Sequence, residues 1–292
     1  MQEIINTSCW VCGNNPLFKV RDSKISKGNL NSKDFLITSN KYGITLELSQ
    51  CKKCGFIQAS EKIDTLHFYE NLVDQEYEKT RKERVLQEDQ ILRRINKFKS
   101  KGKLLDVGAG SGILVEAATQ KGFKAKGIEP SKWLAEKGKS RGINIIQGVL
   151  SESTKDEKFD VITIIDVLEH VDEPLKLLFD VSERLRNDGI GVLVVPNVES
   201  FAAKLLRWKW WHFRVAHIGY FSKKNVKIAL EKVGLKAIKI ENSKWYFSIN
   251  YLASRILSYF PPFVGFKKIP LFGKIIIPLN LYDSLLIFFK KD

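Results

Sequence analysis

A turn of alternating glycines joins two apolar runs: Leu104-Leu-Asp-Val107, then Gly108-Ala-Gly110-Ser-Gly112, then Ile113 to Gln120 at helical spacing. A glycine-rich turn of this kind sits between a first strand and a first helix. Such a turn also leaves bare N–H groups at a helix N-terminus, where they can meet a ligand. The junction predicts a parallel strand–helix–strand unit. Alone it says little about the ligand, but two neighbours sharpen it. Asp106 precedes the loop inside the strand, and the glycines are spaced G-x-G-x-G rather than the G-x-G-x-x-G of dinucleotide-binding turns. Glu129 closes the next strand, 23 residues beyond Asp106, where a carboxylate can accept both hydroxyls of a ribose.

The rest of the chain keeps the same rhythm. Strands are expected at Ala125 to Ile128, Asn144 to Gln147, Phe159 to Ile165, Ile190 to Val195, Lys236 to Ile240 and Ser284 to Phe289. Between them lie a helix capped by Ser131, one over Pro174 to Leu185 stopped by Asn187-Asp188-Gly189, and one over Ser222 to Val233 stopped by Gly234. Alternation of this kind predicts an α/β, doubly wound parallel sheet.

Three segments resemble class I S-adenosylmethionine-dependent methyltransferases: Leu104-Leu-Asp-Val-Gly-Ala-Gly-Ser-Gly112, Gly127-Ile-Glu-Pro-Ser131, and Phe159-Asp-Val-Ile-Thr-Ile-Ile-Asp-Val-Leu-Glu-His-Val171. The third is similar to the branch holding ubiquinone-type O-methyltransferases and many sugar and natural-product methyltransferases. The resemblance covers Lys101 to about Ile240 and the last strand, and implies a seven-stranded, Rossmann-like domain over residues 101–292. It implies that Asp106, Gly108, Gly110 and Gly112 surround the amino-acid end of S-adenosylmethionine, that Glu129 meets the ribose, and that Asp166 and Val167 flank the methyl group. Where relatives often carry an Asp for the adenine amine, this chain has Gln147-Gly-Val-Leu150, so backbone groups and apolar packing are expected to serve instead.

The four cysteines form two pairs, Cys9-Trp-Val-Cys12-Gly13 and Cys51-Lys-Lys-Cys54-Gly55. Each C-x-x-C turn aims two thiolates at one point, and two such turns make a closed tetrahedral site suited to structural zinc. The 38 residues between the pairs exceed zinc-finger spacing. They contain strand-like runs at Lys33 to Ile37 and Ile44 to Leu48, so a zinc ribbon over residues 1–60 is expected. Two redox C-x-x-C pairs are the alternative. A ribbon ahead of the domain is similar to methyltransferases of deoxysugar and glycan pathways. Residues 61–100, rich in charge with apolar residues at helical spacing, predict a connector of one or two helices.

Methyl transfer to a hydroxyl calls for a base near neutral pKa. Of the four histidines, His170 follows the fourth strand of the domain and His217 lies in the segment after the fifth, so both are candidates. The other reading for each is holding a loop or binding substrate. His67 and His212 are expected to be incidental, and Glu169 a structural hydrogen-bond acceptor.

Residues 201–292 carry 17 of the 48 Lys and Arg, 4 of the 33 Asp and Glu, and 19 of the 32 aromatics. This imbalance points to an acidic partner. Arg207-Trp-Lys-Trp-Trp-His-Phe-Arg214 and an insertion at about 251–280 suit the headgroup region of an anionic membrane. A substrate lid, an oligomer interface and nucleic-acid binding are the other readings, the last the least favoured. With no secretory signal and no membrane-length apolar run, the expected protein is cytoplasmic, with peripheral attachment to the cytoplasmic membrane face where that reading holds. The expected reaction is methylation of a small-molecule, glycan or lipid-linked acceptor at oxygen. The alternatives are an RNA or protein methyltransferase that grips its polymer with the ribbon and basic region, and a binding scaffold without turnover.

Overall fold

A computed structural model describes residues 3–154, 156–257 and 275–292. The N-terminal strands β1 (Ile4–Ile5), β2 (Leu17–Arg21), β3 (Leu48–Gln50) and β4 (Ile57–Ala59) pair antiparallel in that order. The strand expected at 33–37 does not form. Ser32–Phe35 is instead a 3-10 turn, because the Asn31 side chain accepts from Lys33 N–H while Asp34 accepts from Asn31 N–H. These local bonds outcompete a ladder. Of the second expected run only Leu48 is strand. The connector holds three helices rather than one or two: α1 (Thr65–Glu70), α2 (Gln75–Lys79) and α3 (Arg81–Ile95). Asp64 and Asp74 cap the first two.

Then come β5 (Gly102–Val107), α4 (Ile113–Gln120), β6 (Phe123–Glu129), α5 (Lys132–Lys139), β7 (Ile145–Gln147), β8 (Phe159–Ile165) and α6 (Pro174–Arg184). The chain continues through β9 (Leu185–Pro196), α7 (Phe201–Leu206), β10 (Gly219–Tyr220), α8 (Lys223–Glu231) and β11 (Leu235–Asn242). It ends with β12 (Trp245–Ser248), α9 (Ile249–Leu257), β13 (Ile276–Leu279) and β14 (Ser284–Lys291). The expected insertion at 251–280 falls largely on residues 258–274, which lie outside the described residues.

The large sheet has the order β11-β14-β9-β8-β5-β6-β7. Its β5 to β9 members are parallel, but β14 is antiparallel to both neighbours, so the sheet is mixed rather than all parallel. Strand β9 starts at Leu185, five residues before the expected Ile190. Asn187-Asp188-Gly189 sits in a bulge, where pairing jumps from Phe159↔Leu185 to Val161↔Ile190.

Period-two alternation sends Leu105, Val107, Ile162, Ile164 and Leu193 to one face and Leu104, Val161, Val192 and Val194 to the other. Ile91, Leu92 and Ile95 of α3 close the second face. The first face runs on into the ribbon through Phe221, Phe56, Val11 and the buried cysteines. Strand β10 joins the ribbon sheet beside β4, pairing Gly219↔Gln58 and Tyr220↔Ile57. Because β6 and β8 flank β5, successive connections leave it in opposite directions and open a crevice at the carboxyl ends of the strands.

Candidate active site

At the end of β5, Gly108, Gly110 and Gly112 take φ of 74°, 54° and 77°. A Cβ on Gly108 would stand 2.4 Å from Val167 Cγ2, and one on Gly110 would stand 2.3 Å from the Tyr77 hydroxyl. Both conformation and space therefore demand glycine. Glu129 braces this loop: Oε2 accepts from Gly110 N–H at 2.8 Å, and Oε1 from Ser131 N–H at 2.8 Å. Each oxygen keeps a second lone pair for another donor. Asp106 lies buried beneath and accepts from Thr163 Oγ1 at 2.6 Å. Burial pushes both carboxyl groups up to about 7, against the opposing pull of these hydrogen bonds.

Strand β8 delivers the opposite side. Asp166 sits at φ 51°, a left-handed conformation rare outside glycine, and its buried Oδ1 has no hydrogen-bond partner. Burial raises its pKa to about 7, with Arg84 opposing. His170 Nδ1 lies 2.7 Å from the Ala216 carbonyl and 2.6 Å from the Tyr69 hydroxyl. A carbonyl only accepts, so Nδ1 carries the hydrogen and Nε2 keeps its lone pair. The His217 ring stands edge-on, 4.7 Å away between centroids. Burial lowers the pKa of His170 to about 3 and also depresses that of His217, so both are neutral.

Asp106, Gly108, Gly110, Glu129, Asp166, Val167, His170 and His217 all line one cavity of about 1120 Å³. Gly112 stands behind it, against Ile143 and Ile145. Gly148, Val149 and Leu150 also face the cavity, in the stretch expected to meet an adenine without a carboxylate.

Two expectations need correcting. Glu169 is no structural hydrogen-bond acceptor: among the described residues its buried side-chain oxygens have no hydrogen-bond partner, His170 Nε2 standing 3.9 Å from Oε1, and burial raises its pKa strongly. Its carboxylate and the rings of His170 and His217 bring their ligating atoms within 4.8 Å of one another, a donor set able to hold a metal ion. His212 is not incidental, for it stacks on His217 with centroids 5.4 Å apart and also lines the cavity.

Sequence reading missed Tyr69, Tyr77, Arg84 and Glu88, which the connector supplies to the same cavity. Arg84 lies over the Tyr77 ring, 4.0 Å from its centroid. Helical spacing revealed an apolar face there but not which polar residues flank it. The segment 207–214 is not a uniform docking surface: Trp210 and Phe213 are buried, and Trp210 Nε1 donates to Asp283 at 3.3 Å.

The four cysteines come together at the ribbon. Cys9 and Cys54 sulfurs are 3.5 Å apart, as are those of Cys12 and Cys51, and no pair is a disulfide. Four sulfurs around one ion with bonds of about 2.3 Å would stand roughly 3.8 Å apart, close to this spacing. The Cys54 thiol beside Cys9 pulls that group down to about 5.

A family model described as a methyltransferase domain matches residues 77–240. The chain belongs to this family. Its fold is that of class I methyltransferases. Two curated relatives are ubiquinone biosynthesis O-methyltransferases. The mitochondrial one of Schizosaccharomyces pombe is 32% identical over 113 residues, 36% of this chain and 41% of the relative. That of Actinobacillus pleuropneumoniae is 36% identical over 100 residues, 30% of this chain and 43% of the relative. The chain thus spans less than half the length of the curated relatives it matches. Among solved structures, a methyltransferase of Archaeoglobus fulgidus aligns with a TM-score of 0.53 at 19% identity, over 75% of this chain and 100% of that one. The magnesium protoporphyrin IX methyltransferase of Synechocystis aligns with a TM-score of 0.51 at 12% identity, over 76% of this chain and 90% of that one. Both likenesses concern the fold. Among the described residues, no helix is long and apolar enough to cross a membrane.

Proposed function

We propose that the protein transfers the methyl group of S-adenosylmethionine to a hydroxyl oxygen of a small acceptor. The carrying observation is the convergence, in one cavity, of the braced glycine loop, two buried carboxyls and the His170–His217 pair. When bound, S-adenosylmethionine supplies an electrophilic methyl group on a sulfonium. The glycine loop, whose missing side chains leave room beside it, and Asp106 border its amino-acid end. Glu129 uses its remaining lone pairs on the ribose, and Gly148 to Leu150 pack on the adenine. Asp166 and Val167 border the methyl group. One of the two imidazoles, neutral by burial, takes the acceptor's single proton as the O–C bond forms, when the oxonium-like oxygen is acidic enough to give it up to a weak base.

The family and the O-methyltransferase names of its curated relatives support this reading over polymer methylation. Residues 1–60 form a ribbon on a structural Zn²⁺ held by Cys9, Cys12, Cys51 and Cys54, residues 61–100 a connector, and residues 101–292 the methyltransferase domain.

Labelled-methyl transfer into fractionated extract tests the reaction. Label is expected in small molecules as alkali-stable ethers. Label in RNA or protein, or no S-adenosylhomocysteine binding at millimolar ligand, would overturn it. His170→Ala and His217→Ala are expected to lower kcat by about 10²-fold or more while leaving S-adenosylhomocysteine affinity intact.

Phe201 and Leu205, one turn apart on α7 and exposed beside Lys204 and Arg207, favour attachment to an anionic membrane. Flotation with anionic vesicles should succeed for wild type and fail for a Phe201→Ser/Leu205→Ser variant.

A further inference from the structure

The reading above leaves one wall of the cavity unused. Arg214, from the segment before β10, and Arg255, from α9, both line it. Arg214 donates from Nη1 to the Ile37 carbonyl at 3.0 Å and from Nη2 to the Leu36 carbonyl. Arg255 donates to the carbonyl of the next residue, Thr38. Three consecutive carbonyls thus orient two planar cations toward one place. The Arg255 guanidinium also lies over Tyr251, 4.6 Å from its ring centroid, and 5.8 Å from that of Tyr42.

Arg214 carries the inference. Its Nε is buried without a hydrogen-bond partner. Among the described residues, no carboxylate forms an ion pair with it. Asp166 and Glu169 sense its charge only from beyond ion-pair distance, and burial holds both toward their protonated forms. Desolvation disfavours its charged state most, Tyr69, Tyr42 and Tyr251 partly offset that, and Arg255 adds a smaller push against it. A cation on a cavity wall with no carboxylate partner is costly, and an anion placed against it relieves that cost.

We propose that this wall binds a phosphate or diphosphate ester carried by the acceptor, so that the molecule methylated is a phosphorylated one. Guanidinium forks match phosphoryl oxygens in geometry and keep their charge at any working pH. Tyr42, kept protonated by burial that pushes it up to about 12, is hydrogen-bonded to Arg255 on the same wall. Because Arg214 lines the same cavity as Asp166, His170 and His217, the anionic group and the reacting hydroxyl belong to one acceptor. The inference rests on the methyltransferase reading and names its substrate class. Nucleotide-linked and lipid-linked acceptors share this chemistry.

Calorimetry on the full chain loaded with S-adenosylhomocysteine tests it, with inorganic pyrophosphate, uridine diphosphate and geranyl diphosphate as probes. Pyrophosphate should bind wild type and weaken about tenfold or more in Arg214→Gln and in Arg255→Gln. A Lys139→Gln control, on the exposed end of α5 away from the cavity, should not differ from wild type. Tighter binding of uridine diphosphate than of pyrophosphate marks a nucleotide-linked acceptor, and tighter geranyl diphosphate a lipid-linked one. Failure of all three probes at roughly 10 mM, or equal binding by wild type and both arginine variants, overturns the proposal. Arg255→Gln is the safeguard should Arg214→Gln prove misfolded on melting. S-adenosylhomocysteine affinity separates the two levels: its retention with probe failure removes only the anion wall, and its absence in wild type removes the methyltransferase reading itself.

Discussion

Glu129 accepts two backbone N–H bonds and still sits near pKa 7, because burial outweighs them. Asp106 is raised to about 7 as well, by burial first and by Glu129 in addition. Both values lie above those of the unfolded chain, about 4. The stability tied to their protonated forms is therefore fully present below about pH 4 and is lost as pH rises through about 7. Ribose hydroxyls and an ammonium prefer the carboxylates, so ligand binding runs the other way. S-adenosylhomocysteine affinity is expected to be flat above about pH 8 and to fall roughly tenfold per unit below 7 for each proton displaced. Calorimetry across that range checks it, and a Glu129→Gln variant should bind weakly with a shallower slope. At Gly110, a methyl group would strike the Tyr77 hydroxyl while φ stays positive. Gly110→Ala should cost at least tenfold in the same affinity, the equivalent of roughly 1–2 kcal/mol of left-handed strain before the clash is counted. The glycine loop and Glu129 are legible in sequence because the constraint is local: a positive φ selects glycine at its own position. Arg84, His212 and Arg214 are not legible, since their roles arise only when separate elements meet at the cavity.

Helices with a side-chain cap and a clear apolar period were readable to within a few residues. Ser131 and Ser222 cap α5 and α8 as their sequences indicate. Misreadings fell where polar local chemistry competes with a ladder. Asn187-Asp-Gly189 resembles a helix stop but is absorbed by a bulge, and Asn31 with Asp34 turns an apolar run into a 3-10 turn. Helix α8 also ties the ribbon to the domain, which no sequence pattern announced. Asn225 Nδ2 donates to the Cys54 carbonyl at 2.8 Å, and its Oδ1 accepts from Ser222 N–H at 3.0 Å. Asn225→Ala strips partners from two buried groups. The expected loss is about 2 kcal/mol, read as a lower urea midpoint at unchanged slope. A loss within a few tenths of wild type would mean that the ribbon is not held through this helix.

On the scale of the whole molecule, Ile218 links the ribbon to the cavity wall that carries Glu169 and His217. Ile218 donates its N–H to the Glu169 carbonyl at 2.9 Å and accepts from Ala59 N–H at 2.8 Å. It sits between His217 and the two residues of β10 that pair with β4. The buried cysteines share an apolar cluster with Phe56 and Phe221, so disorder at the sulfurs spreads toward that segment. The glycine loop, by contrast, is braced by β6 through Glu129 and has no ribbon partner in that bracing. Removing the proposed zinc should therefore separate two properties that active-site damage would lower together. Treatment with a zinc chelator is expected to lower the melting temperature and speed hydrogen exchange at the Ala59 and Ile218 amides. Methyl transfer should fall by up to about a hundredfold as the His170–His217 pair loses register. S-adenosylhomocysteine affinity should stay within about twofold, since its groups lie on β5 and β6. Added Zn²⁺ should restore transfer and exchange protection together. Equal losses of affinity and transfer would show that the ribbon supports the entire domain, and unchanged values of both would show that the four thiolates have no hold on the site.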